Sequence, residues 1–392
     1  MPVLNRIADQ LPEMAGWRHE IHRNPGLCYE EFHTSDLVAA KLAEWGIEVH
    51  RDIAGTGVVG VLRQGDGPRI GLRADMDALP MPEETGLDYA SLVPGKMHAC
   101  GHDGHTTMLL GAAKYLAETR NFSGTVHFIF QPAEEGGAGA RKMMEEGLFA
   151  RFPCDSVYGV HNDPGLKLGE TSVVAGPVLA ASDRLAIRIK GLGGHAARPH
   201  TSIEPVLVGA QIVVALQSIV ARRVDPLDSA VISVCQFHAG SASNVIPETA
   251  ELLGTVRTLR PETQAEMERL ITATCRHIGE MNDAEVTVEY SRGYPPTVNH
   301  APQTERAALA AARVMGAERV IRQRPPAMGG EDFSFMLQEV PGCFVKLGQM
   351  DGARGRVALH NPQYDFNDDL LPIGASFFAA LVEQELPRGP GG

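Results

Sequence analysis

The stretch GTVHFIFQPAEE, residues 124–135, is a β-branched and aromatic run that ends in two adjacent carboxylates. A short apolar run of this composition reads as a buried strand. Adjacent carboxylates just beyond a buried strand face different directions, so one can bind a metal while the other handles protons. An arbitrary Glu-Glu pair is more often a solvated loop, so Glu134 and Glu135 need partners elsewhere in the chain.

Upstream, HTTMLLGAAKYLAET (105–119) carries apolar residues at helical spacing. Before it, GTGVVGVLR (55–63) and PRIGLRADMDALP (68–80) read as strands, the second running out at Asp75 and Asp77. Downstream, SVYGVHNDP (156–164) is a further strand, with His161 at its polar end. Residues 5–45 read mainly as helix; TSDLVAAKLAEWG (34–46) offers a threonine or serine cap and a closing glycine. Helices alternating with apolar strands predict an α/β layer whose strand ends carry the chemistry.

The pattern changes near Ser182. RLAIRIKG (184–191), EPVLVGAQIVVALQSIVARR (204–223), AVISVCQF (230–237), AELLGTVRTL (250–259), ETQAEMERLITATCRHIGEMN (262–282) and EVTVEYSRGY (285–294) follow in order. Strand, helix, strand, strand, helix, strand is the element order of a ferredoxin-like α+β sandwich. After Pro295 α/β character returns, with CFVKLGQ (343–349) as a strand and LLPIGASFFAALVEQEL (370–386) as a helix. The expected architecture is a discontinuous α/β domain, 1–183 and 296–392, interrupted by an inserted domain, 184–295. The tail PRGPGG (387–392) is expected to be disordered.

The bulk composition excludes several classes. Against 35 basic residues stand 48 acidic ones, a net charge of -13, with no basic run, which argues against nucleic-acid binding. No apolar stretch reaches the roughly 20 residues of a membrane span, and the N-terminus lacks a signal-peptide core. The six cysteines are scattered rather than arranged as a disulfide framework, so a cytoplasmic setting is expected.

Partners for the two glutamates come from MHACGHDGHT (97–106). Cys100 and His102 alternate as C-x-H, so an extended or turn backbone could aim both at one centre, and thiolate and imidazole are good ligands for zinc and its neighbours. By itself this stretch fits a metal site, a thiol catalyst with Cys100 as nucleophile, or a glycine-rich turn. His161 and His360, the latter in ALHNPQYDF (358–366), extend the set. Candidate ligands at the ends of separate strands are what an α/β crevice produces. His19, His22, His33, His50, His127, His238, His277 and His300 are read as structural, and His98 is left outside the site.

Together, MHACGHDGHT, QPAEEGG, YGVHNDP, GGHAARPH, NVIPETAELLGTVRT, MGGEDFSFM and LHNPQYDFND resemble the M20 metallopeptidase family. Within it they are similar to the amidohydrolase branch of hippurate hydrolases, N-acyl-amino-acid amidohydrolases and plant auxin-conjugate hydrolases. The resemblance implies a zinc-peptidase-like catalytic domain with an inserted dimerisation domain. It implies two divalent ions (Mn, Zn, Co or Ni) held by Cys100, His102, Glu135, His161 and His360, with Cys100 bridging and Glu134 as general base. Arg73 stands where other members have a histidine of the H-x-D motif, and Asp75 then orients a ligand from behind, with Asp103 and His105 as further supporting groups. His195 would steady the oxyanion in the other subunit of a homodimer or dimer-based tetramer, while Asn244, Arg257 and Gly330 would meet the substrate.

The reaction so implied frees an amino acid and an organic acid from an N-acyl amino acid, hippurate-like substrates first. N-acetyl-diaminopimelate and small peptides are the alternatives. A cysteine hydrolase would leave Glu134, Glu135, His161 and His360 unexplained. A non-catalytic structural zinc site would be closed and need no carboxylates.

Overall fold

The structure, a computed structural model, describes residues 5–388; the last four residues of the predicted disordered tail lie outside them. The chain forms two compact units: Met1–Gly176 with Val298–Pro325 and Asp332–Gly392, and Pro177–Thr297 with Pro326–Glu331. The segment Pro326–Glu331, which carries Gly330, therefore groups with the second unit.

The first unit is built on an eight-stranded sheet in the order Glu48–Ile53, Gly57–Gln64, Gly124–Gln131, Arg69–Asp75, Ser156–Lys167, Gly342–Met350, Thr171–Ser172, Val320–Ile321. The strand that decides the fold, Gly124–Gln131, is buried except at Thr125. It pairs parallel with Arg69–Asp75, which pairs parallel with Ser156–Lys167, which pairs parallel with Gly342–Met350. Parallel strands covered on both faces read as continuous apolar runs, and their carboxyl ends share one edge where α/β sites form. The helix His102–Thr119 packs against Leu371–Glu385 and Leu11–Arg23, joining Met14, Met108, Leu109, Leu370 and Phe377 in one core.

Residues 5–45 are mainly helical, as expected, with Leu11–Arg23 and Phe32–Glu44 separated by a loop, because Pro25 disfavours helical backbone at the residue before it. Two local expectations shift. Thr34 and Ser35 lie inside the second helix, both buried, and do not cap it. The strand bearing His161 does not stop there; it runs to Lys167 in parallel register with Gly342–Met350, His161 opposite Lys346.

In the second unit Ala230–Ala239, Thr249–Thr258, Ser182–Lys190 and Glu285–Tyr294 form an antiparallel sheet in that order, joined through Pro205–Arg223 and Pro261–Met281. This is the ferredoxin-like βαββαβ arrangement. Leu185, Ile187, Ile212, Leu216, Leu252 and Ile271 form its core. At 19 residues, Pro205–Arg223 is long and apolar enough to cross a bilayer, so the expectation that no stretch reaches that length is corrected. Here it lays Val208, Ile212, Leu216 and Ile219 on the sheet and leaves Val206, Leu207 and Val214 exposed.

Candidate metal centre

Gly101 sets the geometry of the C-x-H element. Its φ of 90° is left-handed, and a Cβ there would lie 2.6 Å from Asn162 Oδ1 and 2.8 Å from the Tyr364 hydroxyl. The turn this permits ends directly in the helix His102–Thr119, three residues earlier than the sequence suggested. Cys100 and His102 are thereby brought to one side, both buried.

Two triads share the thiol. Cys100, His102 and His161 place ligand atoms within 4.8 Å of one another, and so do Cys100, Glu135 and His360. Cys100 Sγ lies 3.4 Å from His161 Nε2, and His360 Nε2 lies 3.1 Å from Glu135 Oε1. Glu134 forms a third such group with His102 and Glu135, and its Oε1 accepts the backbone N–H of Asp332 at 3.4 Å. The five predicted ligands and the predicted base are thus gathered at one centre.

The electrostatics are those of a site short of positive charge. Burial disfavours a proton on His102, yet Asp75 and Cys100 outweigh it and raise its pKa well above the ordinary value. Hydrogen bonds with Cys100 and Glu135 raise His360 to about 10. Burial, with His105 beside it, holds the His161 pKa well below the ordinary value. Buried His102 Nε2 has no hydrogen-bond partner. Thiol, imidazole and carboxylate donors around an orphaned ring nitrogen, drawing protons onto two imidazoles, fit a divalent cation.

Behind these groups the supporting contacts differ from expectation in two respects. Asp77, placed at a strand end but given no role by the sequence, lies 3.3 Å from His102 Nδ1. The same carboxylate accepts the backbone N–H groups of Glu134 (3.0 Å) and Glu135 (2.8 Å). Burial would raise the Asp77 pKa, but the His102 bond and these two N–H groups hold it below the ordinary range. Asp75 instead meets His105 Nδ1 at 2.6 Å and Arg73 Nη1 at 2.8 Å. His105 Nε2 lies 2.8 Å from Asn162 Oδ1, closing an Asp75–His105–Asn162 chain beside the ligands. Arg73, fully buried, also reaches Gln131 Oε1 and Asp332 Oδ1.

Asp103 is not brought to the centre. Its carboxylate is buried between Arg18 Nη1 (3.0 Å) and His22 Nδ1 (2.8 Å). His102 and His105 share a helix face three residues apart, and the residue next to His102 rotates away from it.

The second unit holds the remaining candidates. Gly194–His195 pairs with Val245–Ile246, so His195 and Asn244 line one hollow of about 640 Å³ with Gly193, Ile246 and Glu248. His195 Nδ1 accepts the Ala197 N–H at 3.1 Å, which places the ring proton on Nε2. Arg257 lies elsewhere in the unit, its guanidinium donating to Val256 O at 3.1 Å and to the Thr255 hydroxyl. Gly330 is explained by packing: a Cβ there would sit 2.9 Å from that of Ser182.

Residues 71–384 match the model of peptidase family M20/M25/M40. The chain is 42% identical to a hippurate hydrolase of Campylobacter jejuni, covering 97% of this chain and 99% of the relative. It is 42% identical to an IAA-amino acid hydrolase of Arabidopsis thaliana, covering 95% of this chain and 86% of the relative. A solved dinuclear metal binding peptidase from the M20 family, of Bacillus subtilis, superposes with a TM-score of 0.84 at 34% identity over 96% of this chain and 98% of that one.

Proposed function

The chain belongs to peptidase family M20/M25/M40, and on that premise we propose that it is a metal-dependent amidohydrolase that cleaves N-acyl amino acids, hippurate-like aromatic amides first. The observation that carries this is the sharing of Cys100 between two ligand triads, with Glu134 grouped with His102 and Glu135. Cys100, His102, Glu135, His161 and His360 would hold two divalent ions, with Mn, Zn, Co and Ni all suited to mixed sulfur, nitrogen and oxygen donors. Bound there, such ions supply the Lewis acidity that brings a water toward ionisation at neutral pH and polarises the scissile carbonyl.

Glu134 takes the proton of the attacking water and returns it to the amide nitrogen as the C–N bond breaks. His195, protonated on Nε2, is suited to donate to the developing oxyanion in the site of a second subunit. Asn244, beside His195, and Arg257, elsewhere in the unit, are both assigned to substrate binding, and a guanidinium can grip a carboxylate with two parallel bonds. A homodimer through the second unit is supported by exposed Leu207 and Val214 on Pro205–Arg223 and by the unpaired edge of Ala230–Ala239. Six unpaired thiols support a cytoplasmic setting.

The test is a hydrolysis panel of N-acyl amino acids, including hippurate, N-acetyl amino acids, N-acetyl-diaminopimelate and dipeptides, on enzyme of defined metal content. Turnover that disappears on chelation, returns with metal and is highest on aromatic acyl groups is the expected result. Stoichiometric metal with no turnover on any member would overturn it.

A further inference from the structure

The loop 24–31 joins the helices Leu11–Arg23 and Phe32–Glu44. It contributes nothing to the ligand triads and precedes the family match, which begins at residue 71. It nonetheless grips the carboxylate loop at three points. Glu31 Oε1 accepts the Ala133 N–H at 2.9 Å. Cys28 Sγ donates toward Glu135 O at 3.2 Å and lies 3.4 Å from Asp77 Oδ2. The Tyr29 hydroxyl donates to Gly137 O at 2.7 Å.

Ala133 is the pivot of that loop. It is fully buried, its φ is 55°, and Glu134 and Glu135 follow it directly. A side-chain-bearing residue adopts left-handed backbone at a cost, and it stays there only where its surroundings over-determine the conformation. Here its N–H is held by Glu31 and its carbonyl by the Gly139 N–H at 3.0 Å. Glu31 is itself fixed: it is fully buried, and it also accepts the Tyr29 N–H (3.0 Å) and the Thr56 hydroxyl, the latter immediately before the strand Gly57–Gln64. A buried carboxylate with three neutral donors and one aim is an anchor for backbone, and the backbone it anchors aims the two glutamates.

We infer that Glu31 is a positioning residue for hydrolysis: through the Ala133 N–H it sets the direction in which Glu134 and Glu135 leave the strand Gly124–Gln131. The inference rests on the assignment of Glu134 as base and Glu135 as ligand. With the loop unpinned, the base is displaced while the substrate-binding groups of the second unit are untouched. The defect therefore falls on kcat rather than KM.

The experiment compares Glu31→Ala, Glu31→Gln and Glu134→Gln in the full chain. It measures kcat and KM on hippurate with Mn²⁺, the Mn²⁺ dissociation constant, and hydrogen exchange of the Ala133–Glu135 amides. Glutamine keeps an acceptor for the Ala133 N–H and a donor for Thr56, so Glu31→Gln is expected to stay close to wild type. Glu31→Ala is expected to lose about 10²-fold in kcat with KM little changed, to bind Mn²⁺ roughly tenfold more weakly, and to exchange the Ala133 amide faster. A folded Glu31→Ala with wild-type kcat, Mn²⁺ affinity and Ala133 exchange would overturn the inference, as would a Glu31→Gln that is as impaired as Glu31→Ala. Full turnover in Glu134→Gln would instead defeat the assignment of the base, leaving amide exchange and Mn²⁺ affinity to judge Glu31 independently.

Discussion

Asp77 holds His102 by its Nδ1, and in doing so fixes which nitrogen of the ring faces Cys100 and Glu135. With the 3.3 Å contact made on one side, Nε2 is the atom left for a metal. Because Asp77 also accepts the N–H groups of Glu134 and Glu135, one carboxylate orients a ligand imidazole and the backbone of the base together. Asp77→Asn places an NH₂ against donors. It is expected to weaken Mn²⁺ or Zn²⁺ binding about 10- to 100-fold, measured by calorimetric titration; unchanged affinity would assign the orientation of His102 to some other contact.

Glu134 makes a sharper comparison. Glu134→Gln keeps the shape of the side chain and removes the base. Turnover is expected to fall on the order of 10²-fold or more while metal content stays the same. Metal analysis beside steady-state kinetics checks both halves, and full activity with metal bound contradicts the assignment.

Beneath the centre, Arg73 is the buried cation between Asp75 and Asp332. Arg73→Met leaves two buried carboxylates without it, and breaking such a pair costs roughly 3–5 kcal/mol. Chemical denaturation should show that loss at neutral pH. A change under about 1 kcal/mol would mean that the remaining hydrogen bonds carry the charge alone.

Acid–base behaviour offers a test away from the ligands. Burial pushes His22 down, but hydrogen bonds with Asp103 and Glu83 outweigh it and raise the pKa from 6.5 to about 9. The folded state therefore binds the proton more tightly than the unfolded chain. The stabilisation is fully present below pH 6.5 and is lost as pH rises toward 9, by up to roughly 3 kcal/mol. Melting curves of wild type and His22→Gln should converge across that window; parallel profiles would exclude a His22 contribution.

If His195 serves a neighbouring subunit, mixing two inactive variants restores activity. Glu134→Gln and His195→Ala homodimers, unfolded together and refolded as a mixture, are expected to regain about a quarter of wild-type turnover, because half the dimers are mixed and each mixed dimer holds one intact site. No recovery from a mixture proven to contain mixed dimers would place His195 in its own subunit's site or outside any site.

Much of this arrangement was legible in the sequence because ligand identity travels with residue type and strand ends are marked by composition. Cys100, His102, Glu134, Glu135, His161 and His360 stood out as candidates by residue type and by their place near strand ends, and the family resemblance divided them into five ligands and a base. Direction was harder to read. Asp75 and Asp77 are two apart and look equivalent along a strand, but the strand ends at Asp75, so alternation no longer governs Asp77. Asp103 is separated from His102 by one helical step, which turns it toward Arg18, and that step is invisible until the helix is known to begin at His102. Nor could spacing suggest that Arg18, His22 and Glu31, far upstream, would meet residues near 103 and 133.

The reach of that upstream segment bears on where the protein can be cut. The match to the family model begins only at residue 71, yet Glu48–Ile53 and Gly57–Gln64 complete one side of the sheet, and Arg18 and Glu31 bind Asp103 and Ala133. The boundary of that match thus runs through the interior of one compact unit. A truncation at that boundary keeps every proposed ligand in its sequence and removes the neighbours that give those ligands a fixed place.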